Sequence, residues 1–206
     1  MPNSTFFRLP QEKRERLLEA AALEFSRVNF ADASINRIIQ GAHIPRGSFY
    51  QYFSDKQDLF LYLLDSLRDS YIDTLDAALA QVNGDVFAMP LRMYDLLIDA
   101  NGDPVPALAP CVQILKLNQS MDVQGLLSGK AEVVLPQLLE KIDRSQFCRQ
   151  DESFVFNVFH LLIFALVTAM METLWDREKR AQQRLILVDR IDIIRNGSVN
   201  AGMKGD

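Results

Sequence analysis

Apolar side chains recur at helical spacing along almost the whole chain, and the breaks between those patterns are short. Leu17, Leu18, Ala21, Ala22 and Phe25 share one face of a helix expected from Pro10 to about Val28, with Glu12, Lys13, Arg14, Glu15 and Arg16 on its solvated side. Ile35, Ile38 and Ile39 give a second apolar face just after Ser34, a natural N-cap. Gly41 to Ile44 interrupts the pattern. Pro45 suits the first position of a new helix, because its missing N–H has no intrahelical partner there. In that helix Phe49 and Phe53, four apart, point inward and leave Arg46, Ser48, Tyr50 and Gln51 pointing elsewhere. Ser54-Asp55-Lys56-Gln57 reads as a capping box, with Ser54 as N-cap and Gln57 at N3. It predicts a helix from Asp55 to Val82, roughly 40 Å at 1.5 Å per residue, which Asn83-Gly84 ends.

Residues 85–100 form a further predicted helix with Pro90 in its first turns. After the break at residues 101–104, Pro106 and Pro110 bracket the entry to a helical stretch, Cys111 to Leu117. Leu126 to Ile142 gives another, bent near Gly129 and Pro136. Ser153 to Trp175 is apolar nearly all round, as a helix is when fully buried or when it spans a membrane. Asn157, His160 and Thr168 interrupt it and acidic residues flank both ends, so a buried helix at a subunit interface is expected, with no membrane association. The stretch from Glu178 to Arg195 places Leu185, Val188, Ile191 and Ile194 among charges. Its β-branched residues would suit a strand, but no second strand is available to pair with it, so it is read as a helix stopped by Asn196-Gly197. Residues 1–9 read as a short mobile arm carrying Phe6, Phe7 and Arg8, and 198–206 as a disordered tail.

The predicted architecture is all-α with about nine helices. Residues 1–54 form a three-helix helix-turn-helix domain and 55–197 a second helical domain.

Composition adds little until it is divided by region. At 206 residues, with 49% hydrophobic and 24% charged side chains, the chain has the makeup of an ordinary soluble globular protein. Its net charge of −5 excludes a protein that coats nucleic acid along its whole surface. Residues 1–60 nevertheless hold eight basic and seven acidic side chains, so the acidity sits in the remainder. Cys111 and Cys148, far apart and without other metal-ligand types beside them, are expected to be reduced thiols. The polar start Met-Pro-Asn-Ser-Thr is no secretory signal, and a cytoplasmic location is expected.

Two short helices joined by a tight turn, the second with an outward face of Arg, Ser, Tyr and Gln, are an arrangement that reads a DNA major groove. Arg46 can take a guanine edge bidentately or a phosphate, Gln51 can pair with adenine, and Ser48 can bond to either. Lys56, in the first turn of its helix, stands where backbone N–H groups face an anion.

The run from Gly47 to Phe60 resembles the signature of TetR-type (tetracycline-repressor-like) transcriptional regulators, a Tyr-x-Tyr-Phe-x-x-Lys-x-x-Leu string with Tyr50, Tyr52, Phe53, Lys56 and Leu59 as its counterparts. The resemblance extends back through residues 11–33. It implies phosphate contacts from Tyr50, Tyr52 and Lys56, with Ser34 and Gly47 completing the DNA-binding set. For Tyr52, a core aromatic with its hydroxyl satisfied internally is the plainer alternative. Two positions depart from the pattern. His43 stands where the turn usually has glycine, and Ser54 where a basic residue is common.

The resemblance further implies a homodimer on a double-stranded, palindromic operator and a small apolar or amphipathic effector that releases it. Residues 153–175 and 178–195 are the expected dimer surface, because they offer more apolar area than one small domain needs to bury. Met89, Met93, Tyr94, Leu97, Cys111, Leu115, Phe159, His160, Phe164 and Trp175 are the candidate pocket residues, with His160 and Trp175 as polar handles and packed core as the plainer reading of each. No metal-ligand cluster and no glycine-rich phosphate loop is present in the sequence. The only nucleophile and base pair to consider, Cys111 with His160, has no supporting spacing. Neither a catalytic role nor a cofactor is expected. The alternatives are a protein of the same fold controlled by a protein partner and, less favoured, a helical enzyme.

Overall fold

A computed structural model of the chain describes residues 2–106, 108–118 and 137–199. The helix expected over Leu126–Ile142 lies outside them except for a helical turn at 137–140, and so does the tail beyond Val199. Among the described residues there are nine α-helices and one 3-10 turn. They are α1 (Ser4–Phe7), α2 (Gln11–Arg27), α3 (Ile35–Gly41), α4 (Arg46–Tyr52), α5 (Lys56–Gln81), α6 (Met89–Leu97), α7 (Ala109–Leu117), α8 (Glu152–Trp175), the 3-10 turn Arg177–Lys179 and α9 (Arg180–Ser198). Extended pairing among them is limited to two isolated bridges, Ile98–Pro104 and Phe147–Val199. The fold is all-α, as the apolar spacing predicts.

The chain divides into two compact units, Met1–Ser70 with Pro106–Lys130, and Tyr71–Val105 with Ala131–Asp206. The division falls inside α5 rather than at residue 54, and α7 belongs to the first unit. That unit is built on rings. Phe6, Phe25, Phe49, Phe53 and Phe60 are fully buried, with centroids 4.9 Å apart for Phe6–Phe53 and 4.8 Å for Phe25–Phe60. Such tilted and edge-on pairs add to the large apolar area that each ring removes from water. Leu17 and Ala21 of α2, Ile38 and Ile39 of α3, Leu59, Leu63 and Leu64 of α5, and Ile114 of α7 complete the core. The N-terminal arm is not loose. Phe6 is wholly buried in this cluster and Asn3 N–H donates to the Tyr52 carbonyl at 2.8 Å, so one apolar ring and one backbone bond hold the arm against α4.

Several helix boundaries differ from the pattern by a few residues, each for a visible reason. Pro10 and Pro45 sit at the N-cap, one position before the helix, with extended ψ of 142° and 147°. α5 begins at Lys56, and its box is displaced by one residue. Asp55 Oδ1 accepts the Asp58 N–H at 2.7 Å, and Asp58 Oδ2 reaches back to the Ser54 N–H and hydroxyl, each at 3.1 Å. Asp58 thus does what Gln57 was expected to do. α5 ends as foreseen: Asn83 and Gly84 are both left-handed, and a Cβ on Gly84 would lie 2.7 Å from the Lys141 carbonyl oxygen.

In the second unit α8 and α9 pack against each other, and α6 packs against both. The Tyr94 hydroxyl, buried on α6, shares a proton with Thr173 Oγ1 at 2.6 Å and lies 3.3 Å from the Arg180 carbonyl. Beside it Arg184 holds Asp95 through two bonds of 2.9 and 2.8 Å. α8, capped by the Asp151 carboxylate on the Phe154 N–H, is long and apolar enough to cross a membrane by length and composition. In this chain it is buried on one face only. Val155, Val158, Phe159, Leu162 and Leu166 point inward, while Leu161, Phe164, Val167 and Trp175 are exposed. α9 does not stop at Asn196-Gly197. It continues to Ser198, whose carbonyl accepts the Cys148 N–H at 2.9 Å, while Val199 pairs with Phe147. Those tertiary bonds hold the last turn open to one more residue than the Asn-Gly signal implies.

Candidate nucleic-acid interface

The helix-turn-helix hangs on one carboxylate and one turn. Glu24 lies on the buried face of α2, 5% exposed, and accepts the backbone N–H of Ser34 at 2.8 Å. Arg27 and Arg37 pair with it at 2.9 and 3.1 Å. Burial pushes the Glu24 carboxyl upward, but the Ser34 N–H and the two guanidinium groups outweigh that and hold it below the ordinary value of 4.5. Ser34 therefore occupies the N-cap of α3 without its hydroxyl making a cap bond. The acid in the last turn of α2 fixes its N–H instead.

α3 closes in a Schellman motif. Ile44 N–H donates to the Ile39 carbonyl at 3.0 Å and His43 N–H to the Gln40 carbonyl at 3.1 Å, with His43 left-handed at φ 53°. The turn thus carries a histidine in the conformation that glycine usually supplies, at a modest cost. Gly41 serves a different need. A Cβ there would meet the Ala20 Cβ at 3.2 Å, so its missing side chain lets α3 lie close on α2.

α4 stands on buried Phe49, with buried Phe53 at its C-cap. Its outer side presents exposed Arg46, Gly47, Tyr50 and Gln51 and half-buried Ser48. Nothing lies within 4 Å of where a Cβ on Gly47 would stand, so the surface is flat there. Arg46 Nη1 donates to Asn36 Oδ1 of α3, a bond between the two exposed helix faces. Tyr52 is half-buried, its ring 6.4 Å from Phe6. Lys56 Nζ donates to the carbonyls of Ala31 and Ala33, both at 2.9 Å, and lies 4.8 Å above the Phe30 ring. Of the eight residues expected to meet DNA, six share α4, with Tyr52 at its end leaning on the core, while Ser34 gives its backbone N–H to Glu24 and Lys56 takes two backbone carbonyls. Asn36 and Glu24 were not foreseen, although an acid at position 24, in phase with Leu17 and Ala21, marked a buried charge in need of partners.

The ten candidate pocket residues are divided between the two units. Cys111 and Leu115 belong to the first unit and the other eight to the second. Met89, Met93, Tyr94, Leu97 and Phe159 are buried core, whereas His160, Phe164 and Trp175 lie on the exposed face of α8. The Tyr94 hydroxyl is already satisfied, but that of Tyr71 is buried without a hydrogen-bond partner among the described residues, and burial pushes the phenol up to about 12. Burial likewise pushes the Cys111 thiol up to about 11, which keeps it protonated and poorly nucleophilic near neutral pH. An open cavity of about 360 Å³ lies elsewhere in the second unit, lined by Leu139, Glu140, Arg144, Glu152, Ser153 and Phe156. Among the described residues no group of three or more His, Cys, Asp or Glu could hold a metal ion.

Comparison with known proteins bears on the first unit. Residues 17–63 match the profile of the family described as bacterial regulatory proteins, tetR family. The HTH-type transcriptional regulator YdgC of Bacillus subtilis, itself described as uncharacterized, is 40% identical over 73 residues, 35% of this chain and 37% of that protein. The HTH-type transcriptional regulator HbdR of an Aromatoleum species is 33% identical over 64 residues, 31% of this chain and 28% of that protein. The matched stretch spans only about a third of the length of these relatives. A TetR-family transcriptional regulator from Streptomyces coelicolor shares the fold over 95% of this chain and 98% of its own, with a TM-score of 0.63 at 17% identity. Over residues 17–63 the chain is thus similar to the helix-turn-helix of the tetR family of bacterial regulatory proteins.

Proposed function

We propose that the chain is a dimeric, sequence-specific DNA-binding regulator of transcription in the cytoplasm, a repressor released from a palindromic operator by a small apolar or amphipathic molecule. The observation that carries this reading is α4. Its outer side offers Arg46, Ser48, Tyr50 and Gln51 on a base of fully buried rings, next to a turn locked by two backbone bonds. Arg46 and Gln51 have the donors and acceptors to read base edges in a major groove, while Tyr50 and Tyr52 supply hydroxyls for phosphates. Lys56 spends two of its three donors on loop carbonyls, which favours a supporting role over a phosphate contact.

Dimerisation is supported by the exposed face of α8, where Leu161, Phe164, Val167 and Trp175 fall at helical spacing, and by Leu185 and Ile193 on α9. Ligand control is supported by the Tyr71 hydroxyl, since a phenol buried without a partner among the described residues costs about 1–3 kcal/mol that an acceptor on a bound molecule would recover.

The test is selection of bound duplexes from a genomic library, followed by footprinting. Two protected half-sites about 34–36 Å apart are expected, with Arg46→Ala losing roughly 1–3 kcal/mol on the selected duplex and little on a random one. No enrichment of any duplex would overturn the reading.

A further inference from the structure

The loop between α2 and α3 is held from outside the helix-turn-helix by two side chains. Phe30 N–H donates to Asn118 Oδ1 at 2.8 Å. Asn118 ends α7, is 4% exposed, and uses its amide nitrogen on the Ile114 carbonyl, also at 2.8 Å. Both ends of one buried amide are thus spent, one on its own helix and one on the loop. From the other side Lys56, the first residue of α5, takes the carbonyls of Ala31 and Ala33, and its ammonium lies over the Phe30 ring. That ring is seated in the core between Phe25 and Phe60. Within residues 30–33, Phe30, Ala31 and Ala33 therefore place one donor, one ring and two acceptors in fixed contacts, and Ser34, the N-cap of α3, follows at once. Lys56 in turn stands four residues beyond the end of α4.

We infer that Asn118 and Lys56 form a clamp that sets the start of α3 and the end of α4, and that Asn118 is a positioning residue for DNA binding although it lies outside residues 17–63. The inference rests on the DNA-binding reading for its functional half. Asparagine suits position 118. Its side chain gives Phe30 N–H an acceptor and adds a second donor to the Ile114 carbonyl, which also accepts the Asn118 backbone N–H at 3.1 Å. Leucine, of similar shape, supplies neither, and aspartate supplies only the acceptor. A buried backbone N–H left without its acceptor is costly enough to move the loop. Because the clamp touches no DNA, its loss leaves the number of phosphate contacts, and hence the salt dependence of binding, unchanged.

The experiment compares the full-length wild type with Asn118→Leu, Asn118→Asp, Lys56→Met and the Leu/Met double variant. Each is measured on a duplex selected by the wild type and on a random duplex across a range of salt, with thermal melting alongside. Asn118→Leu and Lys56→Met are each expected to weaken the selected duplex about tenfold, the scale of one buried hydrogen bond, at unaltered salt slope. The double variant should lose little more than either alone, as residues of one clamp are not additive. Asn118→Asp, which keeps the acceptor for Phe30, should melt lower yet stay within about threefold of wild-type affinity. That split separates positioning from plain stability.

Without DNA, amide exchange at Ile38 and Ser48 should quicken in Asn118→Leu. Equal loss of affinity in the Leu and Asp variants, a salt slope reduced by about one in Lys56→Met, or wild-type exchange in Asn118→Leu would each overturn the clamp. Quickened exchange in a protein that binds no duplex would instead overturn the DNA-binding reading and leave the clamp standing. Lys56→Met reads the same clamp from its other end if Asn118→Leu does not fold.

Discussion

The two units solve the problem of burying apolar surface differently. The first closes on itself around five fully buried phenylalanines, with Phe30, Tyr52 and Tyr62 packed against them. The second is more aliphatic. It ties α6 to its partner helices with polar bonds, Tyr94 to Thr173 and Asp95 to Arg184. It also leaves apolar side chains outside: of eleven large exposed hydrophobics among the described residues, seven lie on α8 and α9. Such a concentration on one helical hairpin, rather than scattered single residues, is what the proposed dimer surface would present. The contrast teaches that one unit closes on its own aromatic core, while the other leaves part of its apolar surface exposed.

The sharpest way to break the comparison is to empty the aromatic core. Phe53→Ala should cost about 3–5 kcal/mol, since the cavity is walled by stiff rings that cannot collapse into it. Urea unfolding checks the value. In the second unit Phe164→Asp, on the exposed face of α8, should leave the stability of the isolated chain within about 0.5 kcal/mol while weakening self-association by 2 kcal/mol or more. Sedimentation across concentration reads that split, and a monomeric wild type at micromolar concentration would remove the second half of the contrast.

Glu24→Gln sharpens the first half by pH. A carboxyl held below its ordinary value stabilises the fold fully above about 4.5, and that contribution is lost as pH falls through its folded value. The variant should therefore be about 2 kcal/mol less stable at neutral pH, as for hydrogen bonds to a charged group. It should draw level with the wild type in acid. Tyr94→Phe should give the smallest change, about 1 kcal/mol, because Thr173 Oγ1 keeps its bond to the Ala169 carbonyl when the phenol is lost.

What the sequence foretold, and what it missed, divides along the same line. Helical spacing found α2 to α5 to within a residue or two, and the Tyr-x-Tyr-Phe-x-x-Lys string marked α4 and the start of α5. The inward pair Phe49 and Phe53 and the left-handed turn at His43 are where local rules put them. The arm was misread because Phe6 is a single ring without periodicity, and its burial depends on residues about 50 positions away. For Lys56 the string implies a phosphate contact, and nothing in its neighbourhood in sequence reveals the carbonyls of Ala31 and Ala33 that it takes. Within the second unit the candidate pocket residues divide for a similar reason. Apolar character singles out Met89 and Phe164 alike, yet only tertiary packing decides that one is core and the other surface.

The division of the first unit into two stretches of chain carries a consequence for how the protein is made. Ile114 belongs to the same core as Leu64, and Asn118 supplies the acceptor for Phe30. A ribosome adding about 5–20 residues per second takes roughly 3–10 s between Leu64 and Ile114. During that interval the nascent helix-turn-helix carries its aromatic cluster but neither α7 nor the Asn118 amide, so the side of α2 that α7 will cover faces water or a chaperone. The helix-turn-helix reaches its final form only after part of the second unit has already left the exit tunnel.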